Sequence, residues 1–504
     1  MRSGLTVLLR SAFAQAACPG TDYGRRDFMK KSALAAMALS IPFASCKSKE
    51  KPVVAIVGGG IAGLTTSYYL TKWGIAHILF EGNSRLGGRV LTVENAVIDQ
   101  AHVDFGAEFI DTIHDDLLLL AKELKVEVVN LGEDMLKAKG YFFDGKMFSE
   151  EDLVKAIQPF ADVLAKDINR IPEELHFSKA EQFQDIDQHS VTSYLQSIGM
   201  SGWLMHFFEM AMEGEYAMNA SEQSAINLLV MLSAPFHYSE HYHLLGSYHE
   251  VFKFKGGTQR FIDALSTGVD QHVKLGYRLK KLLKNEDQYS LSFDVNGKPK
   301  VVTADIVVLA LPFTVLRDIE RDFKFSERKE RWIAEAGFGN AIKVAMGFNK
   351  RVWREAGFQG YTFTDVNRTV FWDSAQLIPT TAGSLSFAGG GDSATELATK
   401  SYTEIKEKWL TGADTIYPGL AAQYNGKISK FPWSVNPFSK GSYTAYKKGQ
   451  WSAFAGVEAE PFENIFFAGE HCSVAHQGFM NGAAETGRGA AEAIHKKLTE
   501  IGES

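Results

Sequence analysis

The segment Gly58-Gly59-Gly60-Ile61-Ala62-Gly63 reads G-x-G-x-x-G, and Glu81 follows 23 residues after Gly58. Glycines at these positions permit a tight turn and let the backbone approach a pyrophosphate closely. The free N–H groups of a following helix attract phosphate, and a carboxylate placed like Glu81 accepts hydrogen bonds from ribose hydroxyls. The pattern predicts a dinucleotide site whose contacts are Gly58, Gly60, Ile61, Ala62, Gly63 and Glu81.

The elements that would position these residues are also predicted. Residues 53–57 form a short apolar, β-branched run that is typical of a buried parallel strand. Apolar residues recur at helical spacing from Ile61 onward, and Gly74 ends this predicted helix. Residues 77–80 form a second strand, so Glu81 stands at its carboxyl end. A glycine-rich turn alone is a weak sign, but the strand, helix, strand and acid together favour dinucleotide binding.

Further motifs follow along the chain in a fixed order. They are Arg85-Leu86-Gly87-Gly88-Arg89 and the segments 103–111, 255–261, 304–312, 465–471 and 478–488. In sequence and order they resemble the flavin-containing amine oxidase family, which includes monoamine, polyamine and L-amino acid oxidases. The resemblance covers about residues 51–497. The R-x-G-G-R motif disfavours a nicotinamide-dependent dehydrogenase.

The resemblance implies an FAD that lies extended across the fold. Glu81 would bind the adenosine ribose, Arg89 would approach the diphosphate, and Leu279 would contact adenine through its backbone. Glu470 would hold the ribityl chain. The same motifs place further cofactor contacts at Arg85, Gly88, Gly106, Ala107, Glu108, Gly469, Gly478, Phe479 and Met480. Asn83 is a departure, because monoamine oxidases typically have an arginine there.

The resemblance also implies three catalytic residues. Lys343 stands in an apolar strand where the family has a lysine that holds a water against flavin N5. Tyr443 and Phe479 fall on the two walls of the aromatic cage, where facing rings exclude water and align an amine. The alternatives are an edge-strand lysine for Lys343 and ordinary core packing for both rings.

Ser442 occupies the position where monoamine oxidases carry the cysteine that is bonded to the flavin. A hydroxyl cannot form that thioether, so we expect FAD to be bound non-covalently. Cys472 does not match the family position, and we expect it to be buried for structural reasons.

The substrate class is less strongly indicated. L-amino acid oxidases have an arginine for the substrate carboxylate where this chain has Phe109, so bidentate capture of a carboxylate is lost. Polyamine oxidases have an acid where this chain has Asp111, which would pair with a distal ammonium group. Glu213 and Glu215 are further acids in the presumed substrate domain. This pattern favours a primary or secondary amine over an α-amino acid.

The predicted activity is therefore an FAD-dependent amine oxidoreductase. The amine α-carbon gives a hydride to flavin N5, the imine hydrolyses to an aldehyde, and O₂ or another acceptor takes the electrons, with O₂ giving H₂O₂. An oxidase of amino acids or amides and a desaturase on the same scaffold remain alternatives. A lipoprotein that binds flavin or an amine without turnover is an alternative of another class.

Two histidines invite a metal interpretation. His237-Tyr238-Ser239-Glu240-His241 matches H-x-x-E-H, which places two zinc ligands one helical turn apart. No third ligand can be identified, so we expect a polar aromatic stretch and no metal site.

The first 45 residues resemble an export signal. Arg25-Arg26 precede a 13-residue, mostly apolar run from Ser32 to Ala44, which fits a twin-arginine signal peptide and is too short to cross a bilayer. The segment ends in a sequence that resembles a lipobox, with Cys46 as the lipidated residue. We expect a periplasmic protein or a membrane-anchored lipoprotein. Ordinary cleavage nearby and an uncleaved anchor remain alternatives.

Composition gives the fold class. The chain has 504 residues, 45% hydrophobic residues and a formal charge of −7, which fits a large globular α/β protein and makes nucleic acid an unexpected partner. The motifs predict a discontinuous Rossmann-like FAD domain at 51–130, 250–335 and 440–500, and a mixed α+β substrate domain at 131–249 and 336–439. Residues 394–410 read as helical, and Ser190 reads as the cap of a helix that begins at Val191. The oligomeric state is not indicated.

Overall fold

The computed structural model describes residues 52–172, 174–233 and 251–502. The predicted signal segment, Cys46 and residues 237–241 lie outside this part of the chain. The strands are β1 Val54–Val57, β2 His77–Glu81, β3 Thr92–Glu94, β4 His102–Asp104, β5 Val128–Asn130, β6 Ala138–Phe143, β7 Lys146–Phe148, β8 Phe252–Phe254, β9 Val273–Leu275, β10 Arg278–Asn285, β11 Gln288–Val295, β12 Lys298–Ala304, β13 Ile306–Leu309, β14 Glu320–Arg321, β15 Ala341–Phe348, β16 Phe358–Thr364, β17 Thr369–Asp373, β18 Gly383–Gly390, β19 Tyr424–Pro432 and β20 Ile465–Phe467.

The α-helices alternate with these strands or connect them. They are α1 Ile61–Lys72, α2 Asp115–Glu123, α3 Glu150–Ile157, α4 Ala161–Ile168, α5 Gln184–Asp187, α6 Val191–Ser197, α7 Gly202–Tyr216, α8 Ala225–Ser233, α9 Gln259–Thr267, α10 Phe313–Leu316, α11 Glu327–Glu335, α12 Val352–Glu355, α13 Gly391–Thr399, α14 Tyr402–Ile416, α15 Gln450–Phe454 and α16 Met480–Gly502. None of the described helices has the length and apolar character that a bilayer crossing requires.

A five-stranded parallel sheet has the order β20-β13-β1-β2-β9. Val54 pairs with His77 on one side and with Ile306 on the other, and Val307 pairs with Ile465. Every residue of β1 and β13 is buried. This burial explains why both strands are uninterrupted apolar runs, as parallel strands covered on both faces require. The fold is therefore of the α/β, Rossmann-like class that the sequence predicts.

Two further sheets complete the fold. A four-stranded sheet has the order β12-β11-β10-β14, and a seven-stranded sheet has the order β19-β15-β18-β17-β16-β6-β7. The seven-stranded sheet is mainly antiparallel, but β16 and β6 pair in parallel. Its strands come from residues 138–148 and 341–432, and the parallel sheet uses strands from three other parts of the chain. The division into two domains with the stated boundaries remains a prediction.

Helix α16 packs closely on α1. A Cβ atom at Gly487 would lie 2.4 Å from the carbonyl oxygen of Ala62, so only glycine allows this approach. The Thr66 hydroxyl donates to the carbonyl oxygen of Gly487 at 2.9 Å. The C-terminal part of the chain thereby covers the first βα unit.

The segment 394–410, predicted to be helical, is divided between two helices. Helix α13 ends at Thr399, and Ser401 caps α14 through a capping box in which it exchanges hydrogen bonds with Glu404. A serine followed by a glutamate three residues later is a helix-start pattern, and here it outweighs the continuous apolar spacing. The other cap is as predicted, since Ser190 caps α6 at Val191.

Candidate active site

A long cleft opens at the carboxyl ends of the parallel strands. Its walls include Gly58, Gly82 and Ala310, which directly follow β1, β2 and β13, and Gly469, the second residue after β20. Ligands of open α/β sheets bind at this edge, because the strands end together and their loops diverge there.

The glycines of the first turn have distinct roles. Gly58 has φ +112°, and a Cβ atom on it would lie 2.3 Å from the carbonyl oxygen of Ala310. A Cβ atom on Gly63 would lie 1.8 Å from the carbonyl oxygen of Gly58. A Cβ atom on Gly60 would point into open space, with the Gly88 Cα as its nearest neighbour at 4.0 Å. Gly60 therefore leaves room for a ligand, whereas Gly63 lets α1 pack against the turn and does not itself line the cleft.

The start of α1 faces this open space with free backbone donors. Gly60 is the N-cap and offers no side chain, and the first turn of α1 has no acidic residue. Nothing within that turn competes for the helix N–H groups, which favours an anionic group in the cleft.

Glu81 marks one end of the cleft. Its Oε2 accepts a hydrogen bond from the Gly59 N–H at 2.6 Å, and its Oε1 accepts one from the Asn83 N–H at 2.6 Å. Burial raises the pKa of this carboxyl group. Leu279 and Arg278 line the same end, together with Tyr277, Phe438 and Asn83. The carboxylate thus ties the glycine turn to the loop after β2.

The two arginines of the R-x-G-G-R motif differ in their contacts. The Arg85 guanidinium donates to carbonyl oxygens of its own loop, at 2.8 Å to Val90 and 2.7 Å to Gly88. Arg89 reaches across the fold and donates to Glu470 Oε1 at 2.8 Å and to the carbonyl oxygen of Ser442 at 2.7 Å. Arg85 therefore shapes the loop, and Arg89 joins segments that are nearly 400 residues apart.

Glu470 marks another part of the cleft. Its Oε2 accepts from the Gly478 N–H at 2.7 Å, while its Oε1 accepts from Arg89. Gly469, Gly478, Phe479 and Met480 line the cleft beside it. One carboxylate thus joins the C-terminal motif to Arg89 of the R-x-G-G-R motif.

Tyr443 and Phe479, the two predicted aromatic walls, both line this cleft. The Tyr443 side chain is buried, and its hydroxyl donates to the carbonyl oxygen of Gly214 at 3.4 Å. The ring of Phe479 lies 5.0 Å from that of His114. Ser442 also lines the cleft and is 3% exposed.

Lys343 lies behind the cleft wall formed by Gly106 and Ala107. Its Nζ is fully buried and donates at 2.5 Å to the Asp104 carbonyl, at 3.2 Å to the Gly106 carbonyl and at 2.6 Å to Glu108 Oε2. An ammonium group has three N–H donors, and these acceptors use all of them. Contact with a water in the cleft would require one of these bonds to be exchanged, so the predicted water-holding role remains a prediction.

Phe109 and Asp111 follow the same wall. The Phe109 ring packs edge-on against Trp372, with centroids 5.9 Å apart. Asp111 is buried, and its Oδ1 accepts from the Thr112 hydroxyl at 3.2 Å and from the Ile113 N–H at 3.3 Å. The described contacts of Asp111 thus order the turn before α2, and its predicted contact with a substrate ammonium remains a prediction.

Most predicted residues meet in this one cleft. Its lining includes Gly58, Gly60, Ile61, Ala62, Glu81, Arg85, Gly88, Arg89, Gly106, Ala107, Leu279, Tyr443, Gly469, Glu470, Gly478, Phe479 and Met480. Gly63, Glu108, Asp111 and Lys343 are not part of the lining. The role of each residue at the cofactor remains a prediction.

Sequence reasoning missed two features of the site. Phe438 forms the wall opposite Gly82, where a Cβ atom would lie 3.3 Å from the Phe438 ring, and Arg278 lies 5.7 Å from that ring. The buried Lys253 donates to Glu108 at 2.6 Å. The sequence Phe252-Lys253-Phe254 of β8 could have indicated this, because a lysine between two apolar residues that becomes buried needs a partner.

The cleft fits FAD. It combines a glycine turn without side chains, an uncapped helix N-terminus, and carboxylates in Glu81 and Glu470 that belong to different segments. These are the donors and acceptors that a pyrophosphate and the hydroxyls of a ribose and a ribityl chain require.

Comparisons with known proteins agree with this chemistry. The family described as flavin containing amine oxidoreductase matches residues 61–495. A putative L-amino-acid oxidase of Bacillus subtilis (strain 168) is 24% identical over 474 residues, which cover 87% of this chain and 94% of that protein. Polyamine oxidase 4 of Oryza sativa subsp. japonica is 23% identical over 489 residues, which cover 93% of this chain and 94% of that protein.

Solved structures share the fold. Putrescine oxidase bound to putrescine superposes with a TM-score of 0.76 at 20% identity, over 88% of this chain and 99% of that chain. Cyclohexylamine oxidase from Brevibacterium oxydans IH-35A gives a TM-score of 0.76 at 19% identity, over 89% and 100% of the two chains. The family match spans most of the sequence and the cleft fits its cofactor, so the chain belongs to the flavin-containing amine oxidoreductase family, as an FAD-dependent enzyme.

Proposed function

We propose that the protein oxidises a primary or secondary amine that carries no carboxylate next to the reacting carbon. When bound, FAD supplies the redox chemistry by accepting a hydride from the amine α-carbon, and O₂ is the proposed final acceptor. Tyr443 and Phe479 form part of the cleft wall and would align the amine. The amine becomes an imine, which water hydrolyses to an aldehyde and ammonia or a smaller amine, while O₂ is reduced to H₂O₂.

The environment of Phe109 carries this proposal. An α-amino acid needs a cation to pair with its carboxylate, and Phe109 offers none. The nearby Lys253 Nζ lies 5.5 Å from the Phe109 ring, but it already pairs with Glu108 at 2.6 Å. A substrate carboxylate would therefore be desolvated beside an apolar ring, which is costly.

A matched pair of substrates tests this choice. Phenethylamine and phenylalanine differ only in the carboxylate, so we expect the amine to be oxidised at least about tenfold faster at equal concentration. The measurement is initial H₂O₂ formation by the purified holoenzyme, with an aldehyde as the product expected from phenethylamine and a 2-oxo acid as the product expected from phenylalanine. Faster oxidation of phenylalanine would contradict the proposal and favour an amino acid oxidase, the activity in the name of the Bacillus subtilis relative.

We also propose that residues 1–45 export the protein by the twin-arginine route, with Cys46 as a lipidation site. Replacing Arg25 and Arg26 with lysines should leave uncleaved precursor in the cytoplasm, because the paired arginines are the recognised feature. Cell fractionation and immunoblotting measure this, with Lys30→Arg as the control. Normal export of the double-lysine variant would contradict the route.

The proposed lipidation has its own test. Cys46→Ser should release the exported protein from membranes.

We propose non-covalent binding of FAD as well. Ser442 lines the cleft but has no thiol, and the Cys472 Sγ is buried near the carbonyl oxygen of Glu458 at 3.6 Å. Burial raises the pKa of the Cys472 thiol, so the reactive thiolate is strongly disfavoured.

A further inference from the structure

A buried group of charges lies directly behind the cleft wall. Gly106 and Ala107 line the cleft, while the next residue, Glu108, is outside the lining and 2% exposed. Lys343 is 0% exposed and Lys253 is 7% exposed. We call Glu108, Lys253 and Lys343 the charge cluster.

One carboxylate holds both lysines of the charge cluster. Glu108 Oε1 accepts from Lys253 at 2.6 Å, and Glu108 Oε2 accepts from Lys343 at 2.6 Å. The Trp372 Nε1–H donates to Glu108 Oε1 at 3.2 Å. The carboxylate is therefore well bonded, and the two ammonium groups keep the pKa of Glu108 at about 2 although burial opposes ionisation.

Further titratable groups lie next to the charge cluster, and Arg351 Nη1 lies 3.6 Å from the Asp373 carboxylate. Asp104 is 1% exposed, its pKa is raised by burial and by Glu108, and its Oδ2 has no hydrogen-bond partner in the described part of the chain. Burial lowers the pKa of His102, which lies 3.8 Å from Asp104. Burial also raises the pKa of Asp373, which acts on Lys253 from the end of β17.

Hydrogen bonds and nearby carboxylates act on both lysines of the charge cluster. Burial opposes the charge of Lys253, but Glu108, Asp104 and Asp373 together raise its pKa. Burial lowers the pKa of Lys343, while its hydrogen bonds to Glu108 and two carbonyl oxygens favour the charged form. In an environment shielded from water, a charge acts over a longer distance than it does at the surface.

We propose that Lys253 is a positioning residue of the flavin site: by sharing Glu108 with Lys343, it holds a second ammonium group behind Gly106 and Ala107, and the charge of this group raises the reduction potential of bound FAD. Reduction adds electrons to the flavin, so a nearby positive charge stabilises the reduced form more than the oxidised form. The inference rests on FAD binding in this cleft.

A series of charge variants tests the proposal. Lys253→Met removes one positive charge and should lower the midpoint potential of the flavin, whereas Glu108→Gln removes the negative charge and should raise it. The double variant has the wild-type net charge and should return towards the wild-type potential. The measurement is a spectroelectrochemical or dye-linked titration of each purified holoenzyme at one pH.

Two variants separate charge from fold. Lys253→Arg keeps the charge and should keep the potential. Lys255→Met removes a lysine two residues away whose exposed Nζ pairs with Glu127 at 2.6 Å, and it should have no effect. If Lys253→Met does not fold, the midpoint potential of the Glu108→Gln variant alone tests the proposal. Potentials that do not follow the order of net charge overturn the inference, whereas a wild-type protein that binds no FAD overturns the assignment of the cleft.

Discussion

At the scale of single residues, Lys343 illustrates how a charged group can be stable inside an apolar strand. Every residue of β15 is buried, and the lysine is tolerated because its three donors find two carbonyl oxygens and the Glu108 carboxylate. The same bonds fix the backbone of the cleft wall at Gly106. Lys343 therefore serves the fold, and its part in the chemistry is a prediction.

We expect Lys343→Met to slow flavin reduction by amines at least about tenfold, or about 1.4 kcal/mol in activation free energy, because the cleft wall loses its ammonium anchor. Anaerobic stopped-flow absorbance of the FAD-loaded enzyme measures this rate. The exposed Lys350, just after the same strand, gives the control Lys350→Met. An unchanged rate in Lys343→Met with full FAD content would remove Lys343 from the mechanism.

Ser442 supports a prediction about cofactor attachment. Its side chain is buried in the cleft wall and is a hydroxyl, so no thioether bond with flavin can form. Acid precipitation of the holoenzyme should leave the yellow colour in the supernatant. A yellow pellet after washing would show a covalent bond to another residue.

At the scale of elements, the contact between α1 and the first turn is the tightest in the site. The 1.8 Å that a Gly63 Cβ would leave to the Gly58 carbonyl oxygen cannot be relieved by a side-chain movement, because the obstacle is backbone. We expect Gly63→Ala to displace α1 and weaken FAD binding at least about tenfold. Fluorescence titration of the apoprotein with FAD measures the loss.

The control lies in another helix. Gly489 in α16 has nothing within 4 Å of its Cβ position, so Gly489→Ala should preserve FAD affinity and raise helix stability by about 0.5–1 kcal/mol. Equal FAD affinity in the Gly63→Ala and wild-type proteins would show that the turn tolerates a displaced helix.

Local patterns predicted several elements well. The apolar run at β1 and the capping serine Ser190 identify their elements within a few residues, because the signals are short-range. The break between α13 and α14 was missed because the apolar period continues across it. Phe438 and Lys253 were missed for another reason. Their roles depend on contacts with Gly82 and Glu108, and such long-range contacts produce no recognisable residue spacing in the sequence.

At the scale of the whole molecule, a buried group of hydrogen bonds around Glu458 joins the C-terminal part of the chain to helix α11. Glu458 is 6% exposed, and its carboxylate accepts from the Tyr446 hydroxyl and from the Gly456 N–H at 2.7 Å. Lys329 of α11 donates to the carbonyl oxygens of Val457 at 3.2 Å and of Glu458 at 3.1 Å. Burial raises the pKa of Glu458 to about 7, from 4.5.

This raised pKa predicts how stability depends on pH. Between about pH 4.5 and 7 the folded state keeps the Glu458 proton and the unfolded state has lost it, so the contribution to the free energy of unfolding falls as pH rises. The loss is on the order of 2–3 kcal/mol and should be absent in Glu458→Gln. Urea midpoints at pH 5 and pH 7 measure the difference.

The control for this measurement is Glu407→Gln, which changes an exposed carboxylate with 67% side-chain exposure. It should show the wild-type dependence on pH. A Glu458→Gln variant whose stability changes between the two pH values as much as the wild-type protein would contradict the assignment.

The proposed activity requires segments hundreds of residues apart to close one cleft around FAD. The order of motifs along the sequence predicted that arrangement, while the exact neighbours of each side chain required the structure. Its most direct test is the visible spectrum of the purified protein before and after anaerobic addition of phenethylamine. We predict a flavin spectrum that the amine bleaches. A colourless protein, or a flavin that no amine reduces, would contradict the account.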